Sequence, residues 1–342
     1  MIRPGPLNLI TDVDGIAVGN AEDATARTGT TIVLPDRSCA AGVDVRGGGP
    51  GTRETDLLAP TCRVDRVDAI VLSGGSAFGL AAADGVALWL AARGRGYPTR
   101  GGPVPIVPGA ILFDLANGGD KKWGAEPPYR RLGQQAADAA GRHFALGNAG
   151  AGLGAGAGRL KGGLGSASIV TDEGDQIGAL VAVNSFGAVT MPGSPCFWAW
   201  FLEQAGEAGG PRAPQINLPI DLEPECKIPL NSPAVIGEAA SNTTIAVVAT
   251  NVSLDKADAT RVAIMAQDGL ARAIRPVHTP FDGDTVFCLS TGRRNLDGAA
   301  GLLRIGALAA DCLARAVMRA VWAADTLGAM PGYRSVHGGT RN

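Results

Sequence analysis

The chain has 342 residues, 46% of them hydrophobic and 18% charged, with a formal net charge of −2. That apolar share is enough for a large core. So even a charge balance gives no pull toward nucleic acid or a membrane surface. The start, 1–10, lacks the apolar h-region of a targeting signal. The most apolar stretch, 306–324, is interrupted by Asp311, Arg315 and Arg319, so no membrane span is expected. The six cysteines lie far apart with no Cys-x-x-Cys pair, as free thiols of a cytoplasmic protein do.

In chain order, strands are predicted at 15–18 and 30–34, followed by a turn-rich loop at 43–52. A β-branched run at 69–72 ends at Ser73-Gly-Gly-Ser76. A helix is expected over 77–93, with Phe78, Leu80, Val86, Leu88 and Leu90 as its apolar stripe. Residues 104–115 read as a strand broken at Pro108-Gly109, 116–132 as loop, and 134–144 as helix. The segment 147–165 is too rich in glycine for a regular helix, at roughly 1 kcal/mol per glycine. Ile177–Val183 is a buried strand ending at Asn184. The Pro-rich stretch 191–236 reads as a linker. Thr244–Thr250 is a continuous apolar strand. Asp255 caps a helix that buries Val262, Met265, Ala266, Leu270 and Ala273 and ends at Pro276. A strand at 285–289 and a long helix over 296–325 complete an α/β layered chain.

Several motifs tempt a functional reading. Gly150-Ala-Gly-Leu-Gly-Ala155 is close to a dinucleotide fingerprint, but it lacks a preceding strand and a following helix. It reads better as a loop that is flexible or shapes a pocket; no cofactor is expected. Ser76 fails the Gly-x-Ser-x-Gly elbow because Phe78 stands at the second glycine, so it is assigned to a helix cap. The three histidines, His143, His278 and His337, have no metal-ligand spacing, and no metal is expected.

The scarcity of histidine matters for amide chemistry, which needs a base near neutral pH. An α-amino group, with a pKa of about 7.7–8.0, is the other natural choice. Mid-chain, such a group exists only if the chain cuts itself. Asn242-Thr243-Thr244 stands after an irregular stretch and directly before a buried strand. A Thr243 hydroxyl there could attack the preceding carbonyl, and cleavage would free an amine beside its own Oγ. By spacing alone, the same triplet also reads as a turn with local capping bonds.

Over nearly its whole length the chain resembles the self-processing family of the DmpA aminopeptidase, the β-peptidyl aminopeptidases and the 6-aminohexanoate-oligomer (nylon-oligomer) hydrolase. The resemblance rests on Ile10-Thr-Asp-Val-Asp-Gly-Ile-Ala-Val-Gly19, Gly42-Val-Asp-Val-Arg-Gly-Gly-Gly-Pro-Gly-Thr52, Ser73-Gly-Gly-Ser-Ala-Phe-Gly-Leu80 and Lys161-Gly-Gly-Leu-Gly-Ser166. Its most specific parts are Asn242-Thr-Thr-Ile245 and His278-Thr-Pro-Phe-Asp-Gly-Asp-Thr-Val-Phe287.

The resemblance implies a four-layer α/β/β/α sandwich of N-terminal-nucleophile type. It implies one catalytic domain, cut between Asn242 and Thr243 into 1–242 and 243–342, and assembled as a homo-oligomer, a tetramer of such units. Thr243 matches the nucleophile and Asn184 the side-chain oxyanion donor. Asp282 and Asp284 match the polar pair beside the nucleophile, as two aspartates like the nylon-oligomer enzyme's. Tyr129 matches an active-site tyrosine. The family lysine falls on Lys161 or, with a shifted alignment, on Arg159. The implied substrates are short peptides or ω-amino-acid oligomers. A DmpA-like aminopeptidase and an acyltransferase of the ornithine-acetyltransferase type stand as alternatives.

Overall fold

The computed structural model describes residues 2–210, 225–228 and 242–338. One sheet has six strands in the order β1 (Ile2–Arg3), β12 (Gly163–Thr171), β13 (Gln176–Asn184), β14 (Thr243–Val252), β15 (Thr285–Arg294) and β4 (Ala40–Val45). A second has five in the order β2 (Ile16–Asp23), β3 (Thr28–Pro35), β6 (Ile70–Ser73), β9 (Gly109–Ile111) and β5 (Thr52–Arg53). Two small hairpins pair β7 (Tyr97–Thr99) with β8 (Gly102–Val104), and β10 (Gly156–Ala157) with β11 (Leu160–Lys161).

The strand patterns show how the layers stack. Along β14, Ala246 and Val248 join the core beneath α3 (Lys256–Ala273) and α4 (Gly298–Ala323), among Val262, Leu270, Leu313 and Val317. The alternate residues Ile245, Val247 and Ala249 face the second sheet, meeting Val33, Ile70 and Leu72. Beyond it, Ile32 and Val71 pack against α1 (Ala82–Ala91) and α2 (Tyr129–Asp138) through Val86, Leu90 and Leu132. The result is the expected four-layer α/β/β/α sandwich. A strand covered on both faces must be apolar on both, which is why β14 reads as a continuous run. Each fully buried Val, Leu or Ile contributes about 1.5–3 kcal/mol.

β14 and β15 are parallel, so the chain must cross over between them, and α3 is that crossover. Its cap forms as expected: the Asp255 carboxylate accepts from the Asp258 N–H at 2.8 Å. A short helix, α5 (Tyr333–His337), closes the described chain, with Tyr333 stacked on Phe197.

Four local expectations need correction. Ser76 does not cap a helix: it takes φ +51° inside a 3₁₀ turn, Ser76–Ala81, whose cap position is Gly75 with no side-chain bond. The helix 77–93 is therefore this turn followed by the shorter α1. Helix α2 begins at Tyr129, straight after Pro127-Pro128, and stops at Asp138, earlier than the predicted 134–144. Within 104–115 only Gly109–Ile111 is strand apart from the end of β8. The linker reading of 191–236 fails where it can be examined. Phe197, Ala199, Ala208 and Cys226 are buried in the helix-side core or beside it, and the rest of that range, 211–224 and 229–236, lies outside the described residues.

Candidate active site

Sheet register brings the key strand ends together. β13 and β14 are antiparallel, and Asn184, the last residue of one, stands opposite Thr243, the first of the other. β15 starts beside them, with Thr285 paired to Ile245, so the turn Asp282-Gly-Asp284 lies against 242–244. The glycine loop after β4 clasps this turn: Gly49 N–H donates to Asp282 O at 2.8 Å and Arg46 N–H to Asp284 O at 2.9 Å. Gly283 has no alternative here. A Cβ on it would lie 2.7 Å from both Gly49 O and Thr243 Oγ1.

Thr243 is buried, and its hydroxyl donates to the carbonyl oxygen of Asn242. The Gly283 N–H donates to that same carbonyl oxygen at 3.2 Å. The next amide, Thr244 N–H, is held by Asp284 Oδ1 at 2.7 Å. Asp284 Oδ2 takes the His278 N–H at 3.1 Å and lies 2.9 Å from His278 Nδ1. Asp282 accepts from the Phe186 N–H, the Thr279 N–H and, at 2.5 Å, the Thr279 hydroxyl. Both carboxylates are thus engaged by protein donors on both oxygens. Burial first, and then the charge of Asp284, raises the Asp282 pKa above its ordinary value.

Asn184 is wired in both directions. Its Oδ1 accepts from the Gly156 N–H at 2.9 Å and from Lys227 Nζ at 3.1 Å, and its Nδ2 donates to Phe113 O at 3.0 Å. Lys161 is fully buried, with Nζ on the carbonyls of Gly152 and Gly162 at 2.9 and 2.8 Å. Its neighbour in the alignment question, Arg159, is exposed on the rim of the adjacent cavity. Burial pushes both Lys161 and Lys227 down to about 7.

A cavity of about 520 Å³ opens beside Asn184. Its walls include Asp114, Asn117, Lys227 and the glycines 154, 156 and 158, so the glycine-rich segment shapes a pocket. Tyr129 stands behind this wall rather than in it. Its hydroxyl donates to Thr28 Oγ1 at 3.3 Å, and Thr28 donates to Asp114 Oδ2 at 2.6 Å. Burial raises the pKa of both Asp114 and Tyr129. Gly75, at φ +90°, makes room for the phenol: a Cβ there would sit 2.3 Å from its oxygen.

The structure therefore gathers Thr243, Asn184, Asp282 and Asp284 at adjoining strand ends. Lys161 lies behind the glycine segment, and Tyr129 is reached through Thr28 and Asp114. Residue-by-residue reading missed three participants. His278 sits in the quoted Asp-Gly-Asp motif, but its lack of metal-ligand spacing left it without a role. Asp114 and Lys227 had no motif around them. Among the described residues, no three His, Cys, Asp or Glu side chains gather as metal ligands do, and no helix is long and apolar enough to cross a membrane.

Residues 8–335 match the model of Peptidase family S58, and the chain belongs to that family. It is 44% identical to an uncharacterised aminopeptidase of Mycobacterium tuberculosis, across 97% of this chain and 99% of that protein. It is 28% identical to the 6-aminohexanoate-oligomer endohydrolase of a Kocuria species, across 90% of this chain and 84% of the relative. Among solved structures, the L-aminopeptidase D-Ala-esterase/amidase of Ochrobactrum anthropi superposes with a TM-score of 0.66 at 20% identity, covering 94% of this chain and 88% of that one. That structure is described as a variant of the N-terminal-nucleophile hydrolase fold, and this is the fold adopted here.

Proposed function

We propose that the chain is an amide hydrolase that activates itself by cutting the Asn242–Thr243 bond and then uses Thr243 as nucleophile. The observation that carries this reading is the Thr243 hydroxyl resting on the carbonyl of the very bond to be cut, with the Gly283 N–H on the same oxygen. In maturation, Thr243 Oγ adds to the Asn242 carbonyl carbon, whose oxygen becomes an oxyanion facing Gly283. As the adduct collapses, the proton lost by Oγ passes to the leaving nitrogen, the C–N bond breaks, and an ester on Oγ and a free α-amine remain. Water then cleaves the ester, giving the Asn242 carboxylate and the free Thr243 hydroxyl.

In turnover, the new amine takes the Oγ proton as the hydroxyl attacks the substrate amide. The Asn184 Nδ2–H group stabilises the oxyanion. The amine product leaves with a proton, and water hydrolyses the acyl ester. Asp284 holds the start of β14 through Thr244 N–H, and Asp282 fixes the turn that carries Gly283. Because their oxygens are already taken, these carboxylates serve the nucleophile's setting in preference to a substrate amine. Lys161 holds the Gly152 and Gly162 carbonyls behind the pocket, and Tyr129 steadies Asp114 in its wall.

The substrates proposed are short peptides or ω-amino-acid oligomers, slender enough to enter the cavity. The 44% relative favours the aminopeptidase branch through its name, and the 28% relative favours oligomer cleavage. The working form is proposed to be a homo-oligomer, a tetramer of cut chains. Intact mass and N-terminal sequencing test the central claim. Fragments 1–242 and 243–342 that co-purify are expected, and a chain still uncut after long incubation would overturn it. Rates on a 6-aminohexanoate oligomer, its N-acetylated form and an α-amino-acid amide then assign the branch. Turnover of the α-amino-acid amide alone marks an aminopeptidase.

A further inference from the structure

We infer that Lys227 is a positioning residue: its ammonium fixes and polarises the Asn184 amide so that Nδ2 faces the reacting carbonyl as a strengthened donor. The inference rests on the reading of Asn184 as oxyanion donor and goes beyond it, to what makes Asn184 effective.

The geometry is specific. An amide oxygen has two lone pairs. Both on Asn184 are occupied, by the Gly156 N–H at 2.9 Å and Lys227 Nζ at 3.1 Å. A primary amide can present either end to a neighbour, and two donors on one end decide which. A cation there also draws electron density from the N–H bonds, because hydrogen bonds in series polarise one another. Lys227 is itself held firmly. Its N–H donates to Phe186 O at 2.8 Å, Cys226 bridges Gly187, and Glu225 O accepts from Ala188 N–H at 3.2 Å. Residues 186–188 follow Asn184 after the single residue Ser185, so the lysine and the amide are mounted on neighbouring backbone.

Lys227 also lies on the N-terminal side of the proposed cut. It would stay in the 1–242 fragment, completing from that fragment a site whose nucleophile begins the other.

The charge on Lys227 is tunable. The side chain keeps some accessible surface where it lines the cavity, yet its ammonium is packed deeply enough that burial brings its pKa to about 7. The groups facing it are Asp282, which favours the cation, and Lys161, with Asp114, Arg27 and Arg159 around the cavity. Below about pH 7 Lys227 donates only. Above it, the neutral amine no longer polarises the amide through Oδ1, which the Gly156 N–H and the Phe113 carbonyl then hold in place. Turnover should therefore lose rate as pH rises through this range. The α-amine base imposes the opposite, rising limb.

The test compares kcat and KM across pH for the self-cleaved wild type, Lys227→Met, Lys227→Arg and Asn184→Ala. The substrate is whichever of a 6-aminohexanoate oligomer or an α-amino-acid p-nitroanilide the wild type turns over. Lys227→Met should lower kcat by about 10- to 100-fold, the range over which outer partners of a catalytic group act. KM should stay within about twofold, because uniform binding is not what is lost, and the falling limb near pH 7 should vanish. Lys227→Arg should keep most of kcat and move that limb beyond the measured range. If Lys227→Met does not fold, the limb in the wild type and its displacement in Lys227→Arg decide the matter.

An unchanged kcat, a limb that persists in the variants, or a raised KM at constant kcat would overturn the inference. The last result would mean that Lys227 meets the substrate directly. Asn184→Ala separates the two levels. Full activity in that variant removes the underlying reading of the site, whereas its inactivity alongside a normal Lys227→Met removes the role of Lys227 alone.

Discussion

Arg315 and Glu207 meet head-on under the outer helix layer, whereas Lys161, buried, and Lys227, half-buried on the cavity wall, lie near the strand ends with no carboxylate closed on them among the described residues. In the first cluster the Arg315 guanidinium spans both Glu207 oxygens at 2.6 and 2.8 Å, and also reaches Asn8 Oδ1 and Ser168 O. Asn8 Nδ2 donates to Glu207, and Arg319 approaches the same carboxylate at 3.8 Å. The fork geometry neutralises the charges in place. In the second cluster the lysines rest on carbonyl and amide oxygens, and the carboxylates on N–H and hydroxyl donors. Asp284 faces the His278 ring at 2.9 Å, and among the described residues neither lysine is closed onto a carboxylate. Their pKa values consequently drift toward neutrality: the two lysines fall and Asp282 rises. One cluster ties segments together. The other holds charge in reserve, as sites of proton transfer do.

The sharpest break of this comparison is at Thr243, the proposed nucleophile. Thr243→Ala should leave the chain uncut and depress turnover on the order of a millionfold, the scale of losing a catalytic nucleophile. Its melting temperature should stay close to that of the uncut wild type, since among the described residues the removed hydroxyl bonds only its own neighbour's carbonyl. Ser76→Ala should cut itself and turn over normally. Mass spectrometry and a single assay read both variants, and equal loss in the two would move the nucleophile elsewhere.

Next in size comes the closed cluster. Glu207→Ala removes the carboxylate that Arg315, Arg319 and Asn8 share, and losing one partner of a buried ion pair costs about 3–5 kcal/mol. Denaturant unfolding should show that loss, while kcat/KM of the fraction still folded stays at the wild-type value. A drop in kcat/KM with unchanged stability would mean that the two clusters are not separate in function.

Much of this was legible in the sequence where one physical constraint acts alone. β14 is covered on both faces and so reads as unbroken apolar chain; Asp255 must satisfy helix N–H groups and so sits where a cap is needed. The Asp-Gly-Asp turn carries a residue pattern that resembles a family, and the four strand-end residues were named from it. What stayed illegible depends on three-dimensional closure. Lys227 lies in a Pro-rich stretch with no periodicity, and nothing local says that its ammonium returns to Asn184. Glu207 was lost in the same supposed linker, although Arg315 interrupting an apolar helix was a sign that a buried cation needs a partner. The start of α2 was misread for a different reason. Pro127-Pro128 was taken as loop, although proline is tolerated where a helix begins because the first N–H groups have no helical partner. Ser76 failed as a cap because its φ is left-handed, a property that the strand-to-turn geometry imposes.

The smallest expected effect concerns the cost of keeping Lys161 uncompensated. Lys161 has a pKa near 7 in the folded chain against an ordinary 10.5, chiefly through burial. Between those values the unfolded chain binds a proton that the folded chain has released, so stability rises with pH. Below about 7 both states are protonated and the slope from this group vanishes. Lys227 acts in the same direction over the same range. Asp282 has the opposite sign, because its raised pKa removes stability as pH climbs, but its titration starts from an ordinary 3.8 on the acid side. The buried thiols of Cys39, Cys288 and Cys312, raised from 9.0 by burial, would also take stability away, though only as the unfolded thiols ionise. Between about pH 7 and 8.5 those contributions are common to the wild type and Lys161→Met, so the difference between the two proteins reads the lysine. Over that interval the wild type should gain unfolding free energy, and Lys161→Met should gain distinctly less. Glu207→Ala, although far less stable overall, should keep the full wild-type gain. Urea titrations of the three proteins at the two pH values supply the measurement. Parallel slopes for the wild type and Lys161→Met would show that Lys161 stays protonated in the folded chain, its charge compensated as those around Glu207 are, and would erase the contrast between the clusters.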